Sequence, residues 1–261
     1  MGKTVLITGA VINTGYVVAE KFAQNGYNVI ITSRGSQKAQ ESALKLSEKY
    51  PSVQVLGYGL NPLDSDNTVN QQDVIKMFDD FDKKGIVVDT LVLNAAHLGV
   101  DMKINENPLS DFVSVLNTNV VWNYAIIDCA SARMKKNGGG NIIFINSNTA
   151  YRAIPNRIAY STSKSAQLGM MRALALDLGK YNVRVNAVLP GMIFTDRWEK
   201  DYESYKKAPS AHTPLGFGPV DSCDIADACW YFAECAKNTT GAELVVDKGN
   251  SIQLYPIIEE N

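Results

Sequence analysis

Tyr160 and Lys164 stand four residues apart in AYSTSKSAQ, and Ser147 lies thirteen positions before Tyr160, in FINSNTA. Residues four apart share one face of a helix, so a phenol and an ammonium project side by side. A tyrosine phenol ordinarily titrates near about 10. A neighbouring ammonium favours the phenolate and moves that value toward neutrality. Such a tyrosine gives a proton to a carbonyl oxygen or takes one from an alcohol. A serine at the end of an adjacent strand can hydrogen-bond the same oxygen. The set points to acid–base work on an oxygen whose carbon exchanges hydride with a nicotinamide, the difficult chemistry being the cofactor's. A Tyr-x-x-x-Lys pair alone is common on amphipathic helices, so the rest of the chain must decide.

A second candidate lies at the start, in LITGAVINTGYVVAEKF, residues 6–22. A strand that enters a helix through a glycine turn leaves unpaired N–H groups at the helix start. Together with the helix dipole these attract phosphate. Gly9 lets the chain bend sharply, and Gly15 allows close approach of helix and ligand. Asn13 stands where a middle glycine is expected. Asparagine tolerates left-handed backbone better than other non-glycine residues, which predicts a glycine-like or capping conformation. Asn13 and Thr14 are both good helix caps. The next strand ends VIITSRG, with Ser33 and Arg34. A carboxylate about 20 residues past the last glycine would bind a ribose 2′-hydroxyl and favour NAD. None is there, whereas Arg34 can pair with a 2′-phosphate and stack on adenine. NADP(H) is therefore favoured over NAD(H).

The elements that must hold these residues alternate. KTVLIT, YNVIITS, VQVLGYG, DTLVLN, NIIFINS, VRVNAVLP and AELVVD are short β-branched runs separated by helical segments, notably 37–50 and 69–84. Near-continuous apolar strands imply burial on both sheet faces, hence a parallel sheet covered by helices. Strand–helix alternation gives right-handed crossovers. The expectation is an α/β, doubly wound, seven-stranded parallel sheet with helices on both faces, one domain over 1–261. Residues 61–72 form a polar loop leading into a helix. Residues 194–216 mix aromatics with charges after the strand ending at Pro190, which suits a substrate lid beyond the carboxyl ends of the strands.

Composition bounds the partners. The net charge of −2 gives no broad basic field, which argues against nucleic acid. No apolar run reaches a membrane span, and the strand-like first residues are no secretory leader. The four cysteines form no C-x-x-C pair and the two histidines lie far apart, so no metal site is expected. Free buried thiols in a reducing, cytoplasmic setting fit this usage.

Taken together, these motifs resemble the classical short-chain dehydrogenase/reductase family over nearly the whole chain. Its Tyr-x-x-x-Lys corresponds to Tyr160 and Lys164, and its catalytic serine to Ser147. Its NAG-type motif corresponds to Asn94, Ala95 and Ala96 in LNAAH, with Ala96 at the usual glycine. Its fourth catalytic residue corresponds to Asn119 in NTNVVWN, and its PG and threonine to Pro190, Gly191 and Thr195. TTGAELVVDKGN is similar to its C-terminal motif, with Lys248 at a glycine position. The resemblance implies a Rossmann-type fold and a homotetramer or homodimer. It implies Tyr160 as general acid/base, Ser147 polarising the carbonyl, and Lys164 binding the nicotinamide ribose. It implies that Asn119 holds a helix kink and a relay water, and that Asn94, Ile193 and Thr195 line the cofactor. Two departures stand out: Asn13 at a glycine, and Leu60–Asn61 where an adenine-binding aspartate is usual.

The substrate is a small carbonyl or alcohol, with His97, Asn148, Arg152 and Trp198 as candidate contacts and Tyr202 and Tyr205 in the lid. A polar rim suggests a polyol, sugar or acid-bearing ketone; aromatic walls leave a steroid open. The expected function is an NADP(H)-dependent oxidoreductase interconverting a secondary alcohol and a ketone. The alternative is a catalytically weak dinucleotide-binding sensor or scaffold of the same fold. Ala166, Leu168, Gly169 and Ala173, after Lys164, suit packing against a partner subunit.

Overall fold

The structure, a computed structural model, describes residues 2–106, 108–193, 202–207 and 211–255. Seven parallel strands form one sheet in the order β3-β2-β1-β4-β5-β6-β9. They are β1 (Thr4–Ile7), β2 (Asn28–Ser33), β3 (Val55–Gly59), β4 (Thr90–Leu93), β5 (Gly140–Ile145), β6 (Val183–Pro190) and β9 (Glu243–Val246). The expected runs all become strands, with ends shifted by no more than two residues. The order reverses between β1 and β4, so a crevice opens at their carboxyl ends, where doubly wound sheets bind ligands.

The period of two along each strand sorts the core. Val5 and Ile7, with Val29 and Ile31, face one side; Leu6, Ile30, Leu91 and Leu93 face the other. The first face is covered by α1 (Asn13–Gln24), α2 (Ser36–Lys49) and α8 (Ser222–Trp230), through residues such as Phe22, Leu46 and Ile225. The second is covered by α3 (Gln71–Lys84), α5 (Trp122–Lys136) and α6 (Ile158–Gly179), through Phe78, Ile126 and Met171. Helices on both faces explain why the strands read as apolar throughout.

The helix before α5 is interrupted. α4 (Leu109–Leu116) passes into a wide π-helical turn, Asn117–Val121, before α5 begins. Such turns shift carbonyls out of the regular ladder and often mark functional sites. Residues 61–70 form the expected loop, pinned by a bridge between Leu63 and Val69. The segment named as a lid contains a short helix, α7 (Tyr202–Lys207), and a small antiparallel hairpin, β7 (His212–Thr213) with β8 (Gly216–Phe217). The sequence gives no sign of that hairpin, whose strands are two residues each. Residues 194–201 of the segment lie outside the described residues, and with them Thr195 and Trp198; so does the side chain of Tyr202 and that of Tyr205.

Two expectations need correction. All four cysteines are free, but Cys223 and Cys235 are exposed and only Cys229 is fully buried. Cys223 lies in the first turn of α8, and Cys235 ends the π-helical turn Tyr231–Cys235 that follows it. Leu168 is also not a surface residue: it packs into the core beneath the sheet. The outer face of α6 carries Ala166, Gly169 and Ala173 beside the 84% exposed Leu176. Among the described residues, no helix is long and apolar enough to cross a membrane.

Candidate active site

The turn after β1 is built around close approaches. Gly9 has φ +65, and a Cβ there would lie 3.0 Å from that of Ala95. A Cβ on Gly15 would lie 2.5 Å from Asn94 Nδ2 and 2.9 Å from Ala10 Cα, so only glycine lets α1 seat against the end of β4. Asn94 in turn donates through Nδ2 to the carbonyls of Thr8 (2.9 Å) and Gly9 (3.1 Å). Thr8 Oγ1 accepts from the N–H groups of Asn94 and Ala95, both at 3.0 Å. Thr32 Oγ1 accepts from Gly9 N–H at 3.2 Å. Thr8 and Thr32 thus fix the glycine turn, although nothing in their spacing singled them out.

Asn13 adopts φ +50, the left-handed backbone of the glycine it replaces. Lys248, the other residue at a glycine position, does the same at φ +55. Asn13 does not cap α1; the residue ahead of the helix, Ile12, has no side-chain oxygen, so the first N–H groups of α1 lack a side-chain cap. Uncapped donors at a helix start suit a phosphate. Thr14 is buried, its Oγ1 3.0 Å from Ser222 Oγ. At the end of β2, Arg34 is exposed and has no side-chain partner among the described residues, and the first turn of α2 holds no acidic residue. Leu60 is buried in the core and Asn61 is exposed, so neither supplies a carboxylate near adenine.

Ser147, Tyr160 and Lys164 line one cavity of about 220 Å³ at the carboxyl edge of β1, β4, β5 and β6. Thr14, Asn94, Ala96, Ile145, Asn146, Pro190, Gly191 and Ile193 complete its wall. Gly191 is again obligatory, since a Cβ there would lie 2.7 Å from that of Asp247. Ser147 Oγ accepts from Thr149 N–H at 3.2 Å. With an acceptor site used, the hydroxyl proton is left to donate.

The Lys164 side chain is 2% exposed and donates to the carbonyl of Ile145 at 3.0 Å. Its ammonium lies 5.6 Å from the centre of the Tyr160 ring. Burial pulls the Lys164 ammonium down to about 7. Burial pushes the Tyr160 phenol up to about 12, while the Ser147 hydroxyl and the Arg157 charge pull it down. An upward shift of Tyr160 is opposite to the lowering expected from a neighbouring ammonium: desolvation is the largest influence, because a buried site penalises charged forms. Arg157, the residue before α6, was not anticipated. It donates to the carbonyls of Gly99 (3.1 Å) and Leu98 (3.4 Å) and pairs with Asp101 at 3.3 Å, tying the loop after β4 to the start of α6.

Asn119 is completely buried in the π turn. Its Oδ1 accepts from His97 N–H (2.7 Å), and its Nδ2 donates to His97 C=O (2.8 Å) and Ser163 Oγ (3.0 Å). Asn119 therefore holds the His97 main chain, while His97 Nδ1 is buried with no partner among the described residues. Two candidate substrate contacts are committed elsewhere. Arg152 donates to the carbonyls of Asn250 (2.5 Å) and Gln253 (2.8 Å). Asn148 donates to Asp247 (3.4 Å) and Asn250 (3.3 Å). Both staple the C-terminal segment against the Ser147 turn, a contact across about a hundred residues that no local pattern encodes.

Fold and cavity together define a nicotinamide-dependent oxidoreductase with a doubly wound sheet. Residues 9–251 match the family model described as enoyl-(acyl carrier protein) reductase. The chain belongs to the short-chain dehydrogenase/reductase family. It is 33% identical to glucose 1-dehydrogenase of Gluconobacter oxydans, over 100% of this chain and 95% of that protein. It is 30% identical to L-rhamnose 1-dehydrogenase (NAD(P)(+)) of Azotobacter vinelandii, over 97% and 98%. Among solved structures it is similar to 7α-hydroxysteroid dehydrogenase complexed with NADH and 7-oxo glycochenodeoxycholic acid. There the identity is 28% and the TM-score 0.82, with 95% of this chain and 94% of that chain covered.

Proposed function

We propose that this oxidoreductase prefers NADP(H) and acts on the ketone or secondary alcohol of a hydroxylated substrate such as a sugar or polyol. The observation that carries the chemistry is the single cavity in which Ser147, Tyr160 and Lys164 meet Thr14, Asn94 and Pro190. When bound, the nicotinamide supplies or accepts the hydride. Tyr160, held as a neutral phenol, gives its proton to the carbonyl oxygen in reduction and must lose it first in oxidation. Ser147 donates to the same oxygen and stabilises charge as it develops. Lys164, against the Tyr160 ring, would hold the ribose hydroxyls.

The uncapped start of α1 and the glycine-like turn at Asn13 would receive the pyrophosphate, with Asn94, Ala95, Gly191 and Ile193 along the rest of the cofactor. The exposed Arg34 guanidinium, without a side-chain partner among the described residues and with no carboxylate in the first turn of α2, supports a 2′-phosphate over a 2′-hydroxyl. Sugars come first among substrates because two relatives of similar length are named for them. The apolar outer face of α6 and the exposed Leu109, Val113 and Tyr124 of α4 and α5 support assembly into a homotetramer.

A panel of sugar, polyol, steroid and ketoacid substrates, followed at the nicotinamide absorbance with both cofactors, tests this reading. NADPH is expected to bind more tightly than NADH, with Arg34→Ala removing the difference. Equal affinities in the unaltered protein would refute the cofactor preference. Firm NADPH binding with no turnover across the panel would instead favour a cofactor sensor.

A further inference from the structure

Two buried polar side chains beside the reacting set carry no proton-transfer or cofactor-holding role above, although one of them, Asn146, lines the cavity. Asn146 directly precedes Ser147 and is 4% exposed; Gln167 lies one turn beyond Lys164 and is 1% exposed. Tyr160, Lys164 and Gln167 follow the i, i+4, i+7 spacing of one helical face. Further along that face α6 is apolar, with Met171, Ala175 and Leu178 in the core. If packing were the only demand at 167, an apolar side chain would meet it without the cost of desolvating an amide.

The amides form a chain. Gln167 Nε2 donates to the carbonyl of Asn119 at 2.7 Å. Asn123 Nδ2 donates to the same carbonyl at 2.9 Å. A peptide carbonyl has two lone pairs, so protein donors occupy both. Gln167 Oε1 accepts from Asn146 Nδ2 at 3.1 Å. Asn146 Nδ2 also donates to the carbonyl of Lys164 at 2.9 Å, and Asn146 Oδ1 accepts from Ser147 N–H at 2.7 Å. The chain therefore runs from the π turn to the main chain of both Lys164 and Ser147.

We infer that Asn146 and Gln167 are positioning residues that work as one unit, setting the strand end that carries Ser147 against the helix turn that carries Lys164. The π turn makes this arrangement available, since a carbonyl in a regular helix is committed to its own ladder. The unit works through the main chains of Ser147 and Lys164, and of its two side chains only Asn146 also lines the cavity. It acts by fixing two groups whose relative placement decides how well a carbonyl oxygen is held; small misplacements of such groups cost turnover more than binding.

The inference rests on the oxidoreductase reading above, which unaltered enzyme on the substrate panel settles separately. Gln167→Leu and Asn146→Ala are expected to stay folded by circular dichroism and to lose about tenfold or more in kcat, with KM and NADPH affinity within about threefold. The double variant should be no slower than the slower single, because the two act together. An unchanged kcat in either folded variant, or losses that multiply in the double, would overturn the inference. Amide hydrogen exchange at Ser147 needs no substrate: Asn146→Ser should abolish most of its protection, and retained protection would equally overturn it.

Discussion

At the residue scale, the site is a small set of groups whose protonation is governed by burial. With Tyr160 held up to about 12, the phenol is protonated at neutral pH and ready to act as an acid. Alcohol oxidation needs the phenolate, so its kcat/KM should climb with pH through the alkaline range, while ketone reduction stays level at neutral pH. Tyr160→Phe should lose about a hundredfold or more in turnover while NADPH binding, followed by fluorescence transfer, persists. Lys164 gives a stability test. Its ammonium titrates near about 10.4 when unfolded and near about 7 when folded. Between those values the unfolded chain binds more protons, so the Lys164 contribution to stability rises with pH across that window. Below it, the buried charge exacts its full cost. Lys164→Met should therefore melt above the unaltered protein at about pH 6, with the gap closing toward about pH 10.

At the scale of elements, two sequence departures turn out to be conformational equivalents. Asn13 and Lys248 both hold the left-handed backbone of a glycine. Left-handed backbone costs a side-chain-bearing residue about 1–2 kcal/mol, less for asparagine, whose short polar group is tolerated there. Lys248→Gly should therefore raise Tm by a few degrees, and Asn13→Gly by less, in thermal melts without cofactor. The glycines of the turn are not interchangeable with alanine. Gly15→Ala forces a methyl into Asn94 and the Gly9–Ala10 backbone; NADPH affinity should fall about tenfold or more, as the helix start is pushed off the strand end. The π turn, by contrast, was not expected from NTNVVWN by composition. Its cause is tertiary: Asn119 is held by His97 from the loop after β4 and by Ser163 and Gln167 from α6, two segments distant in sequence.

At the scale of the whole molecule, the exposed apolar residues on α4, α5 and α6 would be covered in the tetramer proposed above. Light scattering behind size exclusion should give four times the 28.5 kDa chain mass, and a Leu176→Glu variant should lower it if the α6 face is used. The sequence alone determined the strand–helix alternation, the two-faced sheet and the candidate set of Ser147, Tyr160 and Lys164. Each depends on local spacing: period two, period 3.6, or a turn that only certain residues can make. Tertiary structure alone decided that Arg152 and Asn148 hold the C-terminal segment, and that Arg157 clamps the loop after β4. It also decided that Asn146 and Gln167 join the π turn to the reacting groups. Those partners are set by which segments the crossovers bring to one sheet edge, and by burial, which reversed the expected shift of Tyr160. Neither close approach across the fold nor loss of solvent leaves a periodic mark on the chain.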